Sequence, residues 1–357
     1  MSNKLLIKEN IAYYLPQFHR VPENDKWWGE GFTEWVQVKA AKKYFPNHTI
    51  HLPENDNYYD LSDITVIEKQ YALAKEHSIT GFCFWHYWFG NGDKLLEKPA
   101  EMLLASNANV RFCFGWANHS WWNKKDNILL KEQKYLGYED QIKHIDYLMP
   151  FFSDSRYVKI DGKPVFLIFK PYEIPNAKLW LHNFRKIAKD KGLKDLFIIG
   201  EFSKESDIED FGLDAVVNSR GMLKNRSFIE KVRDKLISKK VLKESHFSPR
   251  KYCYSKLSKG FNNNVSNNDK VIPVIIPRWD STVRHGKNGW VLVGATPDKF
   301  AKHVTDVKDI LSKRDYENRI TIVKSWNEWA EGNFIEPDNI YGRKYLEILK
   351  KEFIHND

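Results

Sequence analysis

Eight short apolar runs recur along the chain, and most are followed by a stretch with helical periodicity. Within a run the apolar residues are nearly continuous, which is typical of parallel strands buried on both faces. Helices are predicted at 63–77, with Asp63 as N-cap, at 94–104, 138–149 and 177–189, and from Pro297 onward. The runs predict strands at 11–15, 80–88, 110–118, 164–170, 196–201, 214–218, 271–280 and 319–325.

This alternation of strands and helices predicts an α/β protein with a (β/α)8 TIM barrel, a fold of ~250 residues that long strand-end loops extend here. We interpret 1–357 as a single catalytic domain, with a basic helical insertion at 219–270 between strands 6 and 7. An open doubly wound sheet would give the same alternation. However, no strand is followed by a glycine-rich phosphate loop, so the barrel is favoured.

The aromatic content is unusually high, at 15% with 13 Trp. Half-exposed indoles in a pocket suit the flat, partly apolar faces of sugars. In a TIM barrel the active site lies at the C-terminal ends of the strands. The predicted strand ends carry polar and aromatic residues, namely Gln17, His86, Asn118, Lys170, Glu201, Asn218, Arg278, Trp279 and Asp280.

The stretch 324–336, after the last predicted strand, carries the candidate chemistry. Glu328 and Glu331 are three residues apart, and Gly332 allows a sharp turn that aims both carboxylates one way. In glycoside chemistry one carboxyl group donates a proton to the leaving oxygen and the other assists displacement at the anomeric carbon. A solvated acidic loop is the alternative, but such a loop would not need the bulk of Trp326 and Trp329.

Three motifs together resemble the WbsX-like family. They are AYYLPQFH at 12–19 followed by WWGEGFTEW at 27–35, PRWD at 277–280 and WNEWAEG at 326–332, and the resemblance covers residues from about 10 to about 340. WbsX-like proteins occur with bacterial O-antigen and capsule synthesis and are often labelled glycosyltransferases. They are also similar to glycoside hydrolase family 99, which contains retaining endo-acting α-mannosidases and mannanases on a (β/α)8 barrel.

The resemblance implies roles for the two glutamates. Glu328 would deprotonate the sugar 2-hydroxyl, which attacks the anomeric carbon to give a 1,2-anhydro intermediate, and Glu331 would act as acid and then as base. Ala330 stands where the hydrolase motif has histidine, which bears on mannose specificity more than on the carboxylate chemistry. We expect Glu331 to keep a proton through desolvation beside Trp326 or Trp329, and Glu328 to be ionised.

Residues of the motifs and of the strand ends are expected to contact the substrate. Glu34 and Trp35 could instead anchor their loop, and Arg278 and Asp280 could pair with each other. The expected substrate-binding set is Tyr14, Gln17, His19, Glu34, Trp35, His86, Asn118, Arg278, Trp279, Asp280, Trp326 and Asn327.

A metal site is the alternative use of the histidines in this part of the chain. His19, His48 and His51 could form a zinc triad, but no Glu-flanked helical motif accompanies them. Retaining sugar chemistry needs no metal. We therefore expect neither a metal nor a cofactor.

The net charge of +9 is concentrated in residues 221–260, which hold twelve Lys/Arg against three Asp/Glu, while the remainder carries 44 of each sign. A capping box at Ser227 starts a predicted helix. We favour an ordinary helix packed on the barrel; the alternative is a surface that binds a membrane or an acidic or phosphate-linked glycan. Nucleic acid is not expected, because no binding motif accompanies the charge. The predicted apolar face is Phe228, Ile229, Val232, Leu236, Ile237, Val241 and Leu242.

The cellular compartment is inferred from segments and cysteines. No run of eighteen apolar residues exists, and the first residues contain too short an apolar stretch for a signal peptide. Cys83, Cys113 and Cys253 lack metal-like spacing and are typical of reduced thiols. We expect a cytoplasmic protein, or one peripheral to the inner membrane.

The sequence thus predicts a retaining endo-glycosidase or transglycosidase that acts on a bacterial surface polysaccharide or its precursor. A glycosyltransferase of O-antigen or capsule biosynthesis that uses an activated sugar donor is the first alternative. It is disfavoured by the lack of an Asp-x-Asp motif and favoured by the expected compartment. A non-catalytic glycan-binding protein is the alternative from another class, since it would need the tryptophans but not both glutamates.

Overall fold

A computed structural model describes residues 4–123, 126–219, 228–239, 241–242, 249–262, 265 and 268–355. Eight parallel strands form the central sheet. They are β1 Glu9–Tyr14, β2 Gly81–Gly90, β3 Phe112–Trp116, β4 Lys163–Ile168, β5 Phe197–Gly200, β6 Ala215–Val216, β7 Val274–Ile275 and β8 Ile320–Val323.

The sheet closes on itself. The strands follow one another in the order β6, β5, β4, β3, β2, β1, β8 and β7. A parallel bridge between Val216 and Val271 joins β6 to the chain that enters β7, so the two ends meet. The predicted (β/α)8 barrel is confirmed, and each predicted strand overlaps an observed one, although β7 is much shorter than predicted.

The described helices surround the barrel and cover its ends. Asp63 caps α3 as predicted, accepting a hydrogen bond from Thr65 N at 2.9 Å. The helices are α1 Pro22–Trp28, α2 Glu34–Lys39, α3 Ile64–Glu76, α4 Lys98–Ala105, α5 Tyr138–Ser153, α6 Ala177–Asp190, α7 Asp207–Phe211, α8 Phe228–Ser238, α9 Tyr254–Phe261, α10 Thr282–His285, α11 Pro297–Leu311 and α12 Lys344–Phe353.

Short strands outside the barrel shape the loops at its C-terminal end. Asp93–Leu95 pairs antiparallel with the end of β2, where the sequence predicted the start of a helix. Arg250–Cys253 pairs in parallel with Trp290–Val293, and Asn327–Glu328 pairs antiparallel with Asn333–Phe334. The last hairpin fixes the candidate catalytic turn directly beyond β8.

Side chains alternate between the barrel interior and the surrounding helices, because neighbouring residues of a strand point to opposite sides. Trp85 of β2 faces inward and contacts the ring of Tyr13 at 4.8 Å between centroids. The next residue, His86, faces outward and lies 2.9 Å from His144 of α5, measured between the two Nε2 atoms. This alternation decides which strand-end residues can reach the site.

The basic insertion is described only in part. Ser227, the predicted capping residue, lies outside the described residues, as do 220–227, 240, 243–248, 263–264 and 266–267. Helix α8 forms within the predicted region but contains no buried residue. The expectation that its apolar face packs on the barrel was therefore wrong for Phe228, Ile229, Val232 and Val241, which are exposed, whereas Leu236, Ile237 and Leu242 are half-buried.

Candidate active site

The turn after β8 presents the two predicted catalytic glutamates. Residues Trp329–Glu331 form one short 3-10 turn, and Gly332 follows with a φ of 55°. A Cβ atom at Gly332 would lie 2.7 Å from the Asp280 backbone, so this position needs glycine. The backbone N–H of Glu328 donates to Ser325 Oγ at 2.9 Å, which holds the turn against the end of β8.

Glu328 lies at the mouth of the barrel, mostly buried but not sealed from solvent. Its Oε1 accepts a hydrogen bond from the indole Nε1 of Trp85 at 3.0 Å. Burial raises the pKa of Glu328 to about 7, with Glu331 and Glu34 adding to the rise and Arg284 and Trp85 opposing it. This carboxyl group can therefore exchange a proton near neutral pH.

Glu331 is held by a different set of partners. Arg284 of α10 donates from one Nη to Glu331 Oε1 at 2.8 Å, and Trp279 Nε1 donates to Oε2 at 3.3 Å. The other Nη of Arg284 donates to Glu34 Oε2 at 2.8 Å. Arg284 thus joins the acidic turn after β8 to the N-terminal loop.

The two glutamates therefore differ in environment although they share one turn. Glu328 has an indole N–H partner and a raised pKa, whereas Glu331 has a guanidinium partner. This arrangement differs from the expected one, in which Trp326 or Trp329 would desolvate Glu331. Trp326 packs on Phe82 and Trp329 stacks on Phe334, both in the core.

A buried ion pair lies next to Tyr13, whose ring contacts Trp85. Lys324 Nζ lies 2.7 Å from Glu201 Oε1, and both side chains are almost completely excluded from solvent. Tyr13 and Ser219 also donate to Glu201 through their hydroxyl groups. Tyr13 belongs to β1, and Lys324, Glu201 and Ser219 follow the ends of β8, β5 and β6, so the pair connects four parts of the barrel.

Two residues of the expected substrate-binding set reach the carboxylate pair: Trp279 contacts Glu331, and Glu34 contacts it through Arg284. Three others have side chains turned away. Tyr14 donates to Gln70 of α3 at 2.6 Å, His86 lies against α5, and Trp326 is completely buried. Nearly continuous apolar strands give no sign of which residues face inward, so the sequence could not show that Tyr13 and Trp85 face the barrel interior and Tyr14 and His86 face outward.

Several other members of the set hold loops in place. Trp35 Nε1 donates to the Tyr59 carbonyl at 2.7 Å, which supports its role as a loop anchor. Asn327 Oδ1 accepts from Leu15 N at 2.7 Å and links the catalytic turn to the end of β1.

Asn118 and Gln17 also contact residues of loops, and His19 lies within a loop. Asn118 donates to the Lys170 carbonyl at 2.9 Å, and Gln17 Nε2 lies 3.4 Å from Asn24 Oδ1. His19 is buried in the loop after β1, and burial lowers its pKa.

Arg278 and Asp280 do not pair with each other. Arg278 forms an ion pair with Asp338 at 2.9 Å, and Asp280 contacts His48 Nε2 at 2.7 Å. His51 contacts Asp338 at 3.0 Å. Arg278, Asp280, His48 and His51 border a cavity of about 230 Å³ that Trp279 also lines. Within the described part of the chain, no group of three or more His, Cys, Asp or Glu is arranged to hold a metal ion.

Trp85, Arg284 and Tyr13 lie at the candidate site but are not among the residues expected from the sequence. Trp85 could have been found only by knowing the sidedness of β2. Arg284 lies four residues after Asp280, within the loop that follows β7, and no local pattern marks it as a partner of Glu34 and Glu331. No helix among the described residues is both long and apolar enough to cross a membrane.

Comparison with solved structures finds barrels of similar architecture. A glycoside hydrolase-like protein superposes with a TM-score of 0.58 at 16% identity, covering 99% of this chain and 96% of its own. The glycoside hydrolase family 99 endo-α-mannosidase from Bacteroides thetaiotaomicron, in complex with bis-tris-propane, gives a TM-score of 0.56 at 18% identity, covering 96% and 95%. At these identities the likeness shows the fold alone.

Comparison of sequences identifies the family. The curated relatives are proteins called "uncharacterized protein WxcX" from two strains of Xanthomonas campestris pv. campestris, each 28% identical over 349 residues. The alignment covers 96% of this chain but 49% of the relative, so the chain spans about half the length of the curated relatives it matches. The model of the family described as "Glycosyltransferase WbsX" matches residues 10–349, and the chain therefore belongs to this family.

Proposed function

We propose that the chain is a carbohydrate-active enzyme that makes or breaks glycosidic bonds with retention of anomeric configuration. Glu328 and Glu331 would be the reacting carboxyl groups, and a bacterial surface polysaccharide or its precursor would be the substrate. The observation that carries the proposal is the pair itself. Two carboxyl groups with different partners share one turn at the C-terminal end of a (β/α)8 barrel, beside the indoles of Trp85 and Trp279.

Glu328 is suited to the role of base. A general base works best when its pKa lies near the working pH, and burial brings the pKa of Glu328 to about 7. In the proposed first step Glu328 takes the proton of the sugar 2-hydroxyl. The freed oxygen attacks the anomeric carbon, and the bond to the leaving oxygen breaks.

Glu331 would donate its proton to that leaving oxygen in the same step. In the second step Glu331 takes a proton from the incoming hydroxyl or water, whose oxygen attacks the anomeric carbon. The bond from that carbon to the 2-oxygen breaks, which opens the three-membered 1,2-anhydro ring, and Glu328 returns its proton to the 2-oxygen. Arg284 contacts both Glu331 and Glu34. Glu34 therefore remains as a partner for the guanidinium while Glu331 is neutral.

The incoming group decides between hydrolysis and transfer. Water gives hydrolysis, and a sugar hydroxyl gives transglycosylation through the same intermediate. The family's description favours a second candidate, a glycosyltransferase that uses an activated sugar donor. A non-catalytic glycan-binding protein is the third candidate, and it would not depend on the two glutamates.

The test compares leaving groups in Glu331→Gln and Glu328→Gln. Substrates are glycosyl fluorides of several sugars, which need little acid assistance, and an oligosaccharide with the natural linkage. We expect Glu331→Gln to lose on the order of 10³-fold on the oligosaccharide and much less on the fluoride at the first step. Glu328→Gln should slow both substrates, because removal of the 2-hydroxyl proton does not depend on the leaving group.

Equal losses on both substrates for Glu331→Gln would remove its assignment as the acid. Full activity of Glu328→Gln would remove the mechanism. Activity of the parent with a nucleotide-activated donor alone would favour the second candidate. Glycan binding that both variants retain, in a parent without turnover, would favour the third.

A further inference from the structure

Helix α8 has one face turned toward the protein, fixed by two adjacent residues. Asp234 Oδ2 accepts a hydrogen bond from the Tyr252 hydroxyl at 3.1 Å, and the Arg233 guanidinium lies 5.2 Å from the centroid of the Tyr252 ring. The side chains of Arg233 and Asp234 are only 15% and 11% exposed. The opposite face of α8 must therefore point to solvent.

Apolar side chains near the start of α8 are exposed, and two of them, Phe228 and Val232, lie on the outward face. Phe228, Ile229 and Val232 are 81%, 79% and 38% exposed. At 3.6 residues per turn, Phe228 and Val232 lie one turn apart on the side opposite Arg233 and Asp234. Folding does not remove these side chains from water, so core packing does not explain their presence.

The same face carries positive charge. Lys231, Lys235 and Lys239 are exposed and follow one another at four-residue spacing beside Phe228 and Val232. The excess of nine positive charges in 221–260 accounts for the whole net charge of the chain. Basic and apolar side chains therefore share one exposed strip.

We propose that the outward face of α8 docks on an anionic lipid surface. Lysines near a membrane are attracted to anionic headgroups, and exposed aromatic and aliphatic side chains enter the boundary with the acyl chains. A nucleic acid would pair with the lysines and stack a base on Phe228, but it offers no apolar interior for Ile229 and Val232. An acidic glycan has the same limitation.

The docking face is connected to the candidate active site through a short series of contacts. The Tyr252 ring, which holds α8, contacts Trp290 at 6.1 Å between centroids, and Trp290 packs on Trp279 at 4.9 Å. Trp279 in turn donates to Glu331. A lipid surface bound to α8 would lie on this side of the barrel. If the proposed function holds, this position suits a glycan anchored in the membrane.

The test is sedimentation of the full chain with lipid vesicles. We expect binding to phosphatidylcholine vesicles that contain phosphatidylglycerol, and little binding to phosphatidylcholine alone. In Lys231→Gln/Lys235→Gln/Lys239→Gln, the partition coefficient should fall on the order of 100-fold at ~0.1 M salt. Phe228→Ser should weaken binding even at high salt, where the lysines are screened.

The matched control is Lys69→Gln/Lys75→Gln/Lys178→Gln, which removes three exposed lysines from α3 and α6. This control should bind vesicles as the parent does. Circular dichroism verifies that all variants are folded, and Glu328→Gln should also bind normally, so failure of the enzymatic proposal would not affect the result.

Three outcomes would overturn the docking proposal. The first is a parent that does not sediment with anionic vesicles. The second is equal loss of binding in the control and in the α8 lysine variant. The third is binding of single-stranded RNA or dextran sulfate more tightly than vesicles, which would assign the strip to a phosphate- or sulfate-bearing polymer.

Discussion

Two glutamates near the C-terminal end of β8 have raised pKa values for the same first reason but occupy very different regions. Burial raises the pKa of both Glu328 and Glu336 to about 7. Glu336 is enclosed in the core and accepts hydrogen bonds from Tyr59, Gln70 and Trp329 at 2.9, 2.8 and 2.6 Å. Glu328 accepts a hydrogen bond from Trp85 and keeps access to solvent.

The comparison teaches that a raised pKa does not by itself identify a reacting group. Buried structural carboxyl groups are perturbed as strongly as catalytic ones. What distinguishes Glu328 is the second carboxyl group beside it and its access to solvent. Glu336 accepts hydrogen bonds from Gln70 of α3, from Tyr59 and from Trp329 of the catalytic turn. Such a fully bonded, buried carboxyl group is typical of a structural role.

The largest expected difference is that substitution of Glu328 lowers activity, whereas substitution of Glu336 lowers stability. Glu328→Gln should lower kcat/KM on the order of 10³-fold and leave the midpoint of thermal unfolding nearly unchanged. Glu336→Leu should lower the free energy of unfolding by about 4 kcal/mol, because three buried donors lose their acceptor. Both are measured on the purified variants, by initial rates and by denaturant unfolding. Loss of activity without loss of stability in Glu336→Leu would break the distinction.

The raised pKa of Glu336 should make the free energy of unfolding depend on pH. The folded form keeps the proton of Glu336 up to a pH of about 7, whereas the unfolded form releases it near the ordinary value of 4.5. The folded state thus binds more protons in this window, so this contribution to stability falls as pH rises from about 4.5 to about 7, by roughly 3 kcal/mol.

Glu336→Gln cannot release a proton and should lack that loss. The measurement is denaturant unfolding of the parent and the variant at several pH values across the window. The difference in the free energy of unfolding between them should change steadily with pH. A constant difference would contradict the raised pKa of Glu336.

A smaller effect concerns Arg284 and the pH profile of activity. Arg284 opposes the rise in the pKa of Glu328, so its removal should raise that pKa further. If Glu328 is the base, the acidic limb of kcat/KM should move upward by about one pH unit in Arg284→Gln. Lys287→Gln, which removes an exposed charge from the same loop, is the control and should leave the limb in place. A downward shift in Arg284→Gln would contradict the electrostatic account of the pair.

Much of the architecture could be predicted from the sequence, because buried parallel strands leave continuous apolar runs and each run here overlaps an observed strand. The turn at Gly332 and the cap at Asp63 were also predictable from local chemistry. Which residues of a strand face the barrel interior could not be predicted, because strands such as β2 are apolar on both faces and show no alternation of polar and apolar residues. From the sequence we expected His86 and Tyr14 to contact the substrate. In the structure their neighbours Trp85 and Tyr13 face the barrel interior.

Partners that come from distant loops were also beyond prediction. The contacts of Arg284 with Glu34 and Glu331 span 250 and 47 residues of sequence. Arg278 and Asp280 illustrate the same limit, because adjacency in the motif suggested a pair, whereas each binds a residue from another loop. The outward orientation of Phe228 and Val232 in α8 depends on Tyr252, which follows α8 by fourteen residues in the chain and binds Asp234.

The most direct test of the catalytic pair is the anomeric configuration of the first product, followed by NMR during turnover of a glycosyl fluoride or of the natural oligosaccharide. The account predicts a product that keeps the configuration of the substrate in the parent. In Glu328→Gln product should form on the order of 10³-fold more slowly. An inverted product, or an unchanged rate of retained product in Glu328→Gln, would contradict the central claim that these two carboxyl groups act together.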